Sequence, residues 1–224
     1  METLVRLENV VKFYPPRRWA LNGVSLSLDS PEFVAICGGP GSGKSTLLKL
    51  IAGIEKPSEG EIWIMEHAVH RMSDSQAADF RNRNISLLMR NPSFWPSLTV
   101  LENVAMPLMI RGEREAERIR KARNWLESMG LMERCHVRPD ALDAFDRQRA
   151  SLARAIAAGP KLLLADEPLG DLNAEEAYRI MELLQVVVCQ GGATLLYFTQ
   201  NRENMKAANQ IMTLCNGKLR RNDI

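Results

Sequence analysis

Nine consecutive residues, GGPGSGKST, combine glycines, one lysine and two neighbouring hydroxyl side chains in a spacing that suits phosphate chemistry. They are Gly38, Gly39, Pro40, Gly41, Ser42, Gly43, Lys44, Ser45 and Thr46. The spacing is G-x-x-x-x-G-K-[ST], in which glycines let successive backbone N–H groups turn toward a polyphosphate. Lys44 can reach the β- and γ-phosphates, the Ser45 hydroxyl can ligate Mg²⁺, and the helix that starts here adds its positive dipole end. The segment therefore predicts a phosphate-binding loop for a nucleoside triphosphate with Mg²⁺.

A second chemical signal ends the apolar stretch KLLLADEP, where Asp166 and Glu167 stand side by side. A carboxylate at the end of such a strand can hold Mg²⁺ directly or through water, so Asp166 is the predicted metal-binding acid. Glu167 is placed to polarise an attacking water as general base. Acids often end strands, and the pair alone would be a weak signal. Together with the phosphate loop it predicts a nucleoside-triphosphatase site.

Alternating strands and helices would hold these groups in place. The first third carries the β-branched alternation of strands, and EFVAIC, just before the phosphate loop, has the fully apolar character of a buried strand. The middle of the chain has helical patterns. In the last third we expect strand KLLLAD, helix AEEAYRIMELLQVVVCQ, strand TLLYFT, a further helix and strand QIMTLCNGK. This alternation predicts a parallel sheet in an α/β domain.

The composition excludes several classes of function. With 224 residues, 46% of them hydrophobic, the chain can bury the core of one domain. A formal charge of +2 gives no electrostatic argument for nucleic acid as a partner. No apolar run approaches the roughly 18 residues of a membrane-spanning helix, so a membrane role would come through a partner. The cysteines lack C-x-x-C spacing and predict buried or free thiols in a reducing cytosol; they are Cys37, Cys135, Cys189 and Cys215.

Three further stretches, in this order and spacing, resemble the ATP-binding subunits of ABC transporters: LTVLENVAMPLMIRG, RASLARAIAAGPKLLLADEP and IMTLCNGKL. The resemblance covers nearly the whole chain and is closest to the group that serves lipoprotein release, macrolide-type export and cell division. It implies one ATP-binding domain over residues 1–224, with a P-loop NTPase core of the RecA-like α/β type and an antiparallel β subdomain. It also implies an inserted helical subdomain at approximately residues 85–158.

The resemblance further implies ATP and Mg²⁺ as ligands, and a head-to-tail dimer that holds two ATP molecules at its interface. Separate transmembrane subunits would bind this dimer, which would be cytoplasmic and peripheral at the inner face of the plasma membrane.

Tyr14 matches the aromatic position that stacks on adenine; the alternative is an ordinary strand aromatic. Phe94 and Trp95, in NPSFWPSL, match the region that receives the membrane partner; the alternative is that both belong to the core.

The sequence departs from the family pattern most strongly at the signature L-S-G-G-Q. The aligned residues are Leu142, Asp143, Ala144, Phe145 and Asp146. In the family pattern, free N–H groups at this helix start bind the partner's γ-phosphate, whereas Asp143 and Asp146 predict a capping-box-like arrangement that satisfies those groups internally. At ~4 Å and an effective dielectric of about 20, each like charge costs on the order of 4 kcal/mol, and Phe145 adds bulk where glycine permits close approach. We predict that the signature is disabled.

Three other positions also depart from the family pattern. Arg90 replaces the glutamine that contacts Mg²⁺; it either repels the metal or reaches the γ-phosphate. Gln200 replaces the histidine that senses the γ-phosphate; it can donate a hydrogen bond but carries no charge near neutral pH. The turn after Glu167 reads LGDLN, and Asn173 at its end is a competent cap for the following helix.

Two functions fit these features. The first is an ATP-binding subunit of an ABC transporter complex that hydrolyses ATP slowly or only with a partner, such as a more complete ATP-binding subunit in a heterodimer. The second is a catalytically impaired nucleotide-sensing or regulatory subunit that assembles a membrane complex without significant turnover, although the intact Glu167 argues against it. A soluble P-loop kinase or GTPase is disfavoured because the chain lacks an N-K-x-D motif for guanine.

Overall fold

The computed structural model describes residues 3–16, 18–29 and 31–222, without the side chains of residues 18 and 187–190. The strands in these residues are β1 (Thr3–Tyr14), β2 (Arg18–Asp29), β3 (Phe33–Cys37), β4 (Glu59–Ile64), β5 (His67–Ala68), β6 (Ile85–Met89), β7 (Leu162–Asp166), β8 (Thr194–Thr199), β9 (Gln210–Cys215) and β10 (Lys218–Arg221). The helices are α1 (Lys44–Ile51), α2 (Asp74–Asn84), α3 (Val100–Ile110), α4 (Glu115–Ser128), α5 (Ala144–Ala157) and α6 (Ala174–Gly191).

Four strands form an antiparallel sheet in the order β2-β1-β4-β5. The first half of β1 shows why it pairs this way: Val5 and Leu7 are buried while Arg6 and Glu8 are exposed, the alternation of a strand with one face on a core. The antiparallel β subdomain implied by the resemblance corresponds to this sheet.

The second sheet has the order β10-β9-β3-β8-β7-β6, and its neighbours are parallel except for the edge strand β10. The central strands are continuous apolar runs because both faces are covered. One face packs against α3, α4, α5 and α6, and the other packs against α1 and the antiparallel sheet. The predicted parallel α/β core is therefore confirmed.

The chain between β6 and β7 contains α3, α4 and α5, which pack against one another and against one face of the parallel sheet. The predicted interval of residues 85–158 contains these helices and also β6, which is a strand of the sheet. A capping box formed by Thr99 and Glu102 starts α3. None of the helices in the described residues is long and apolar enough to span a bilayer.

The prediction of a helix between β8 and β9 is wrong, because no α-helix forms there. Only a single 3-10 turn, Glu203–Met205, forms there. The connection has ten residues between Thr199 and Gln210, and Asn201 caps its start by accepting a hydrogen bond from the Glu203 N–H at 2.9 Å. This single turn is the only helical segment in the connection, all of which lies in the described residues.

Three cysteines, Cys37, Cys135 and Cys215, are free thiols. The Cys189 side chain lies outside the described residues. Cys135 is buried in the helical core, and Cys215 is exposed at the end of β9.

Candidate nucleotide-binding site

Strand β3 leads directly into the predicted phosphate loop, residues 38–46, and α1 begins inside the loop at Lys44. Two glycines allow its shape. Gly43 has a φ of 108°, and a Cβ there would lie 2.3 Å from the Ala20 carbonyl oxygen. A Cβ on Gly38 would lie 2.5 Å from the Ser42 hydroxyl oxygen. A side chain at either position would displace the loop, and with it the first-turn N–H groups of α1 that suit an anion.

The loop forms one wall of a cleft of about 720 Å³. Its lining outside the loop consists of Leu87, Met89, Arg90, Asn91, Pro92, Ser93, Ser151, Arg154, Asp166, Glu167 and Gln200. The carboxyl ends of β6, β7 and β8 meet here, because the carboxyl ends of parallel strands share one edge of a sheet. The structure thus brings the predicted loop, Arg90, Asp166, Glu167 and Gln200 together.

The Lys44 side chain is buried and crosses the base of the loop. Its ammonium donates to the carbonyl oxygens of Gly38 and Gly39, the latter at 3.3 Å, and lies 3.9 Å from Glu167 Oε1. The loop carbonyls and the acid together offset the desolvation of this charge. The arrangement fixes a positive charge where the loop would receive phosphate.

Ser45 and Asp166, the two predicted metal ligands, are in contact: the Ser45 hydroxyl donates to Asp166 Oδ2 at 3.1 Å. Burial raises the pKa of Asp166, while the hydrogen bond from Ser45 and the charge of Lys44 lower it. A hydroxyl and a carboxylate side by side are the hard oxygen donors that Mg²⁺ prefers, with its remaining ligands drawn from water and phosphate. The pair fits Mg²⁺.

Glu167 is held in an unusual backbone conformation, with a φ of 47°. Its N–H donates to the Phe198 carbonyl oxygen at 2.9 Å, and its Oε2 accepts a hydrogen bond from the Thr199 hydroxyl at 3.1 Å. Oε1 is buried with no hydrogen-bond partner in the described part of the chain. One carboxylate oxygen is therefore fixed, and the other remains an unused acceptor beside the cleft.

Replacing Thr199 by valine is expected to lower ATP turnover about tenfold and to leave ATP affinity within about threefold, because valine keeps the shape but cannot hold Glu167 Oε2. Phosphate release under single-turnover conditions and a nucleotide titration would measure the two effects. Thr199→Ser keeps the hydroxyl and should keep the rate. Thr194→Val is the matched control: Thr194 is as fully buried in β8 but accepts from the Glu32 N–H, at 3.3 Å. Equal losses in both valine variants would contradict the prediction.

Arg90, the first residue after β6, does not approach Ser45 or Asp166 closely enough to pair with them. Its guanidinium binds Asp171, with Nε 3.1 Å from both carboxylate oxygens and Nη2 2.5 Å from Oδ1. Hydrogen bonding by Arg90 lowers the pKa of Asp171. The sequence left open whether Arg90 lies beside the metal ligands or reaches toward the phosphate. In this arrangement the guanidinium is held at neither position.

Gln200 is exposed, follows β8 directly and lines the cleft. Tyr14, the last residue of β1, lies outside the lining of the cleft. Its hydroxyl donates to Glu55 Oε2 at 2.5 Å, and the Lys12 ammonium lies 5.1 Å from the ring centroid. Burial and the hydrogen bond with Glu55 raise the pKa of Tyr14, against a smaller opposing effect of Thr46. Tyr14 is thus next to the phosphate loop through Thr46, and its stacking on adenine stays a prediction.

The signature turn forms the start of α5, with Asp143 as its N-cap. As predicted, the Asp143 side chain accepts a hydrogen bond from the Asp146 N–H, at 2.7 Å. The second hydrogen bond of the predicted capping box, from the Asp143 N–H to the Asp146 carboxylate, does not form, so this part of the prediction is wrong. The buried Asp146 carboxylate pairs with Arg149 instead of returning to the Asp143 N–H.

Arg149 changes the charge that the turn presents. It neutralises Asp146 and also donates to the Met129 carbonyl oxygen at 2.7 Å. Its guanidinium lies 4.5 Å from the centroid of the Phe145 ring, which packs against the helical core. Asp143 and Ala144 remain exposed. One exposed carboxylate, and not two, is therefore the charge that an incoming phosphate would meet.

Sequence reasoning missed Thr199, Asp171 and Arg149. Thr199 could have been found from strand pairing, because β7 and β8 are parallel neighbours with Asp166 opposite Phe198, which places Thr199 beside Glu167. The pair Arg90–Asp171 depends on side-chain positions that no spacing rule gives, whereas Arg149–Asp146 is an i,i+3 pair on α5 that helix spacing could have indicated.

Comparisons with known proteins agree with this geometry. The sequence profile of the ABC transporter family matches residues 21–170. The lipoprotein-releasing system ATP-binding protein LolD of Koribacter versatilis is 37% identical over 194 residues, which is 87% of each chain. LolD of Saccharophagus degradans is 34% identical over 219 residues, 96% of each chain.

Two solved structures share the fold over 98% of both chains at 31% identity. They are the dimeric MJ0796, a bacterial ABC transporter cassette, with a TM-score of 0.92, and a post-hydrolysis state of MJ0796 bound to ADP and Pi, with a TM-score of 0.91. The predicted ABC ATPase architecture is confirmed. The chain therefore belongs to the ABC transporter family, as an ATP-binding subunit similar to those of lipoprotein-releasing systems.

Proposed function

We propose that the chain binds ATP·Mg²⁺ and couples nucleotide binding to a separate transmembrane subunit, from the inner face of the plasma membrane. The observation that supports this is the meeting of Lys44, Ser45, Asp166 and Glu167 around one cleft, although they come from α1, β7 and the turn after β7. The ADP and Pi bound to the similar cassette MJ0796 support the same use of the cleft here.

Each group would have a separate task. The first-turn N–H groups of α1 and the Lys44 ammonium would bind the triphosphate. Bound Mg²⁺, held by Ser45 and Asp166, would neutralise charge on the phosphate oxygens. Glu167, with Oε2 held by Thr199, would orient a water at Oε1 and accept its proton. Gln200 would donate an amide hydrogen bond to the terminal phosphate.

Turnover by this chain alone would be slow. In a head-to-tail dimer of two copies, each nucleotide would face the Asp143 carboxylate and a helix start whose third N–H group is already used by that carboxylate. Gln200 cannot supply the charge of a histidine. A heterodimer with a more complete ATP-binding subunit would give this chain's phosphate loop a competent opposing signature.

The test is a titration of the purified chain with ATP and Mg²⁺, followed by phosphate-release measurements on the chain alone and with a membrane subunit. We expect ATP binding that depends on Mg²⁺, weak turnover alone and faster turnover in the complex. Glu167→Gln should bind ATP and lose the turnover. Absence of nucleotide binding would refute the proposal, and fast turnover by the isolated chain would refute the expected impairment.

The loop after β6 supports a contact with the membrane subunit. Asn103, fully buried in α3, accepts a hydrogen bond from the Trp95 N–H at 2.8 Å and donates to the carbonyl oxygens of Trp95, Leu98 and Thr99 at 3.1, 3.2 and 2.9 Å. The loop is thereby fixed with Trp95 60% exposed. The buried Asn103 amide thus holds the backbone of the exposed Trp95 in place. An exposed indole on a fixed loop is suited to binding a partner.

Phe94 behaves differently from Trp95. It packs against the helical core, and Arg154 lies over its ring at 4.6 Å while donating to the Ser93 carbonyl oxygen at 2.6 Å. The sequence left open whether Phe94 and Trp95 face a partner or belong to the core. Phe94 packs against the core, whereas Trp95 is exposed.

Trp95→Ala is expected to weaken binding to the membrane subunit at least tenfold, because an exposed indole loses a large contact area when it is truncated. Co-purification and a binding titration with the detergent-solubilised membrane subunit would measure the loss. Trp19→Ala is the matched control, since Trp19 is also 60% exposed but lies on β2. Wild-type binding by Trp95→Ala, or equal loss in both variants, would contradict the prediction.

The regulatory alternative has one supporting observation, the internally capped signature turn with Asp143. It predicts ATP-dependent assembly with the membrane subunit that persists unchanged in Glu167→Gln and shows no phosphate release at any partner concentration. The fixed Glu167 carboxylate and its Oε1, which takes part in no hydrogen bond in the described residues, favour the ATPase proposal over it.

A further inference from the structure

Arg90 joins two loops that border the cleft. It follows β6, and its partner Asp171 lies in the turn that follows Glu167. Three hydrogen bonds connect guanidinium and carboxylate, and Nη2 also contacts the Gly170 carbonyl oxygen at 3.4 Å. A two-pronged contact of this kind fixes direction as well as distance.

Gly170 shows the same contact from the side of the turn. A Cβ at this position would lie 2.8 Å from Arg90 Nε and 3.0 Å from both Cδ and Cζ. The guanidinium therefore lies directly across the turn, in space that a side chain on residue 170 would take. Gly170 does not have a positive φ. Glycine therefore matters here because it leaves room for the Arg90 guanidinium, and not because of its backbone conformation.

The turn itself is short and closed by its own backbone. The Gly170 N–H donates to the Glu167 carbonyl oxygen at 3.1 Å, and the Leu172 N–H donates to the Leu169 carbonyl oxygen at 3.2 Å. Because Glu167 is the first residue of this hydrogen-bonded turn, a change in the position of the turn acts on Glu167 through the backbone.

We propose that Arg90 is a positioning residue, which holds the turn of residues 168–173 against the end of β6 through Asp171 and so fixes the backbone that carries Glu167. The effect of Arg90 on turnover rests on the proposed ATPase function, whereas its effect on the turn does not. The start of α5 borders the same pair, since Ala144, Arg147 and Gln148 line a cavity of about 100 Å³ together with Arg90 and Asp171.

Hydrogen exchange tests the proposal directly. In peptides that cover residues 168–173, Arg90→Ala and Asp171→Ala should each speed amide exchange by about 1.5-fold to fivefold, the range expected for an exposed ion pair. The double variant should exchange no faster than either single variant, because all three lack the same interaction. Unchanged exchange in the single variants, or additive effects in the double variant, would overturn the proposal.

A second Arg–Asp pair supplies the matched control. Arg83 Nε lies 3.1 and 3.0 Å from the carboxylate oxygens of Asp79, in a similarly exposed setting on α2. Arg83→Ala should leave exchange in residues 168–173 unchanged. Gly170→Ala should speed exchange in the wild-type background and add nothing in the Arg90→Ala background.

Rescue and kinetics separate positioning from a general loss of structure. Arg90→Glu combined with Asp171→Arg should recover protection that each single change loses.

In the complex with the membrane subunit, Arg90→Ala should lower the single-turnover rate about fivefold to tenfold with little change in ATP affinity. A loss of ATP or Mg²⁺ affinity of tenfold or more would place Arg90 on the ligands and overturn the proposal. Failure of the wild type to bind ATP would refute the proposed function, while the exchange measurements would still decide the role of Arg90.

Discussion

Lys44→Ala is expected to bind ATP·Mg²⁺ at least about a hundredfold more weakly than the wild type. The Lys44 ammonium is buried at the base of the phosphate loop, with the carbonyl oxygens of Gly38 and Gly39 as neighbours. A charge-assisted hydrogen bond contributes about 1.5–3 kcal/mol, and a hundredfold loss corresponds to about 2.7 kcal/mol. Isothermal titration calorimetry at fixed Mg²⁺ would measure the change.

Two further variants make this result interpretable. Lys49→Ala removes the same charge from the same helix at an exposed position, where the ammonium pairs with Glu55 at 3.1 Å, and it should bind ATP within about threefold of the wild type. Lys44→Met retains the aliphatic volume and should lose affinity like Lys44→Ala, which separates loss of charge from collapse of the loop. Near wild-type affinity in both Lys44 variants would remove the basis of the nucleotide site.

Asp143→Ser is expected to strengthen ATP-dependent dimerisation by about tenfold to a hundredfold. Asp143 carries the exposed charge of the signature turn, because Arg149 already neutralises Asp146. Like charge at ~4 Å with an effective dielectric of about 20 costs on the order of 4 kcal/mol, and solvent screening at an exposed site reduces this to the smaller range expected here. Serine is also a good N-cap, so α5 should keep its stability.

Sedimentation in a Glu167→Gln background, with ATP present, would measure this dimerisation without hydrolysis. Asp140→Ser is the control, since Asp140 is exposed in the preceding 3-10 turn and its loss changes the net charge equally. Equal dimerisation by the Asp143→Ser and wild-type chains would show that the carboxylate does not limit assembly. An equal gain in the Asp140 control would attribute the effect to net charge and not to the turn.

The sequence predicted the parts of the site that depend on short, contiguous patterns. Residues 38–46 had to form a phosphate loop because glycine, lysine and hydroxyl spacing works only at a strand-to-helix turn. Asp166 and Glu167 followed from a buried strand that ends in acids, and the strand–helix alternation required a parallel sheet whose strand ends share one edge. The N-cap at Asp143 was equally local, since the carboxylate of an N-cap reaches the N–H group three residues later.

Tertiary structure decided where the long side chains go. Spacing places Arg90 near the metal ligands, but packing puts Asp171 within reach and leaves Gly170 open for the guanidinium. Spacing allows Asp146 either a capping box with Asp143 or an i,i+3 ion pair with Arg149, and Arg149, which also donates to the Met129 carbonyl oxygen, takes the carboxylate. The physical reason is common to both cases. Backbone patterns are set by neighbours in sequence, while a flexible charged side chain binds the best partner that the folded chain brings near it.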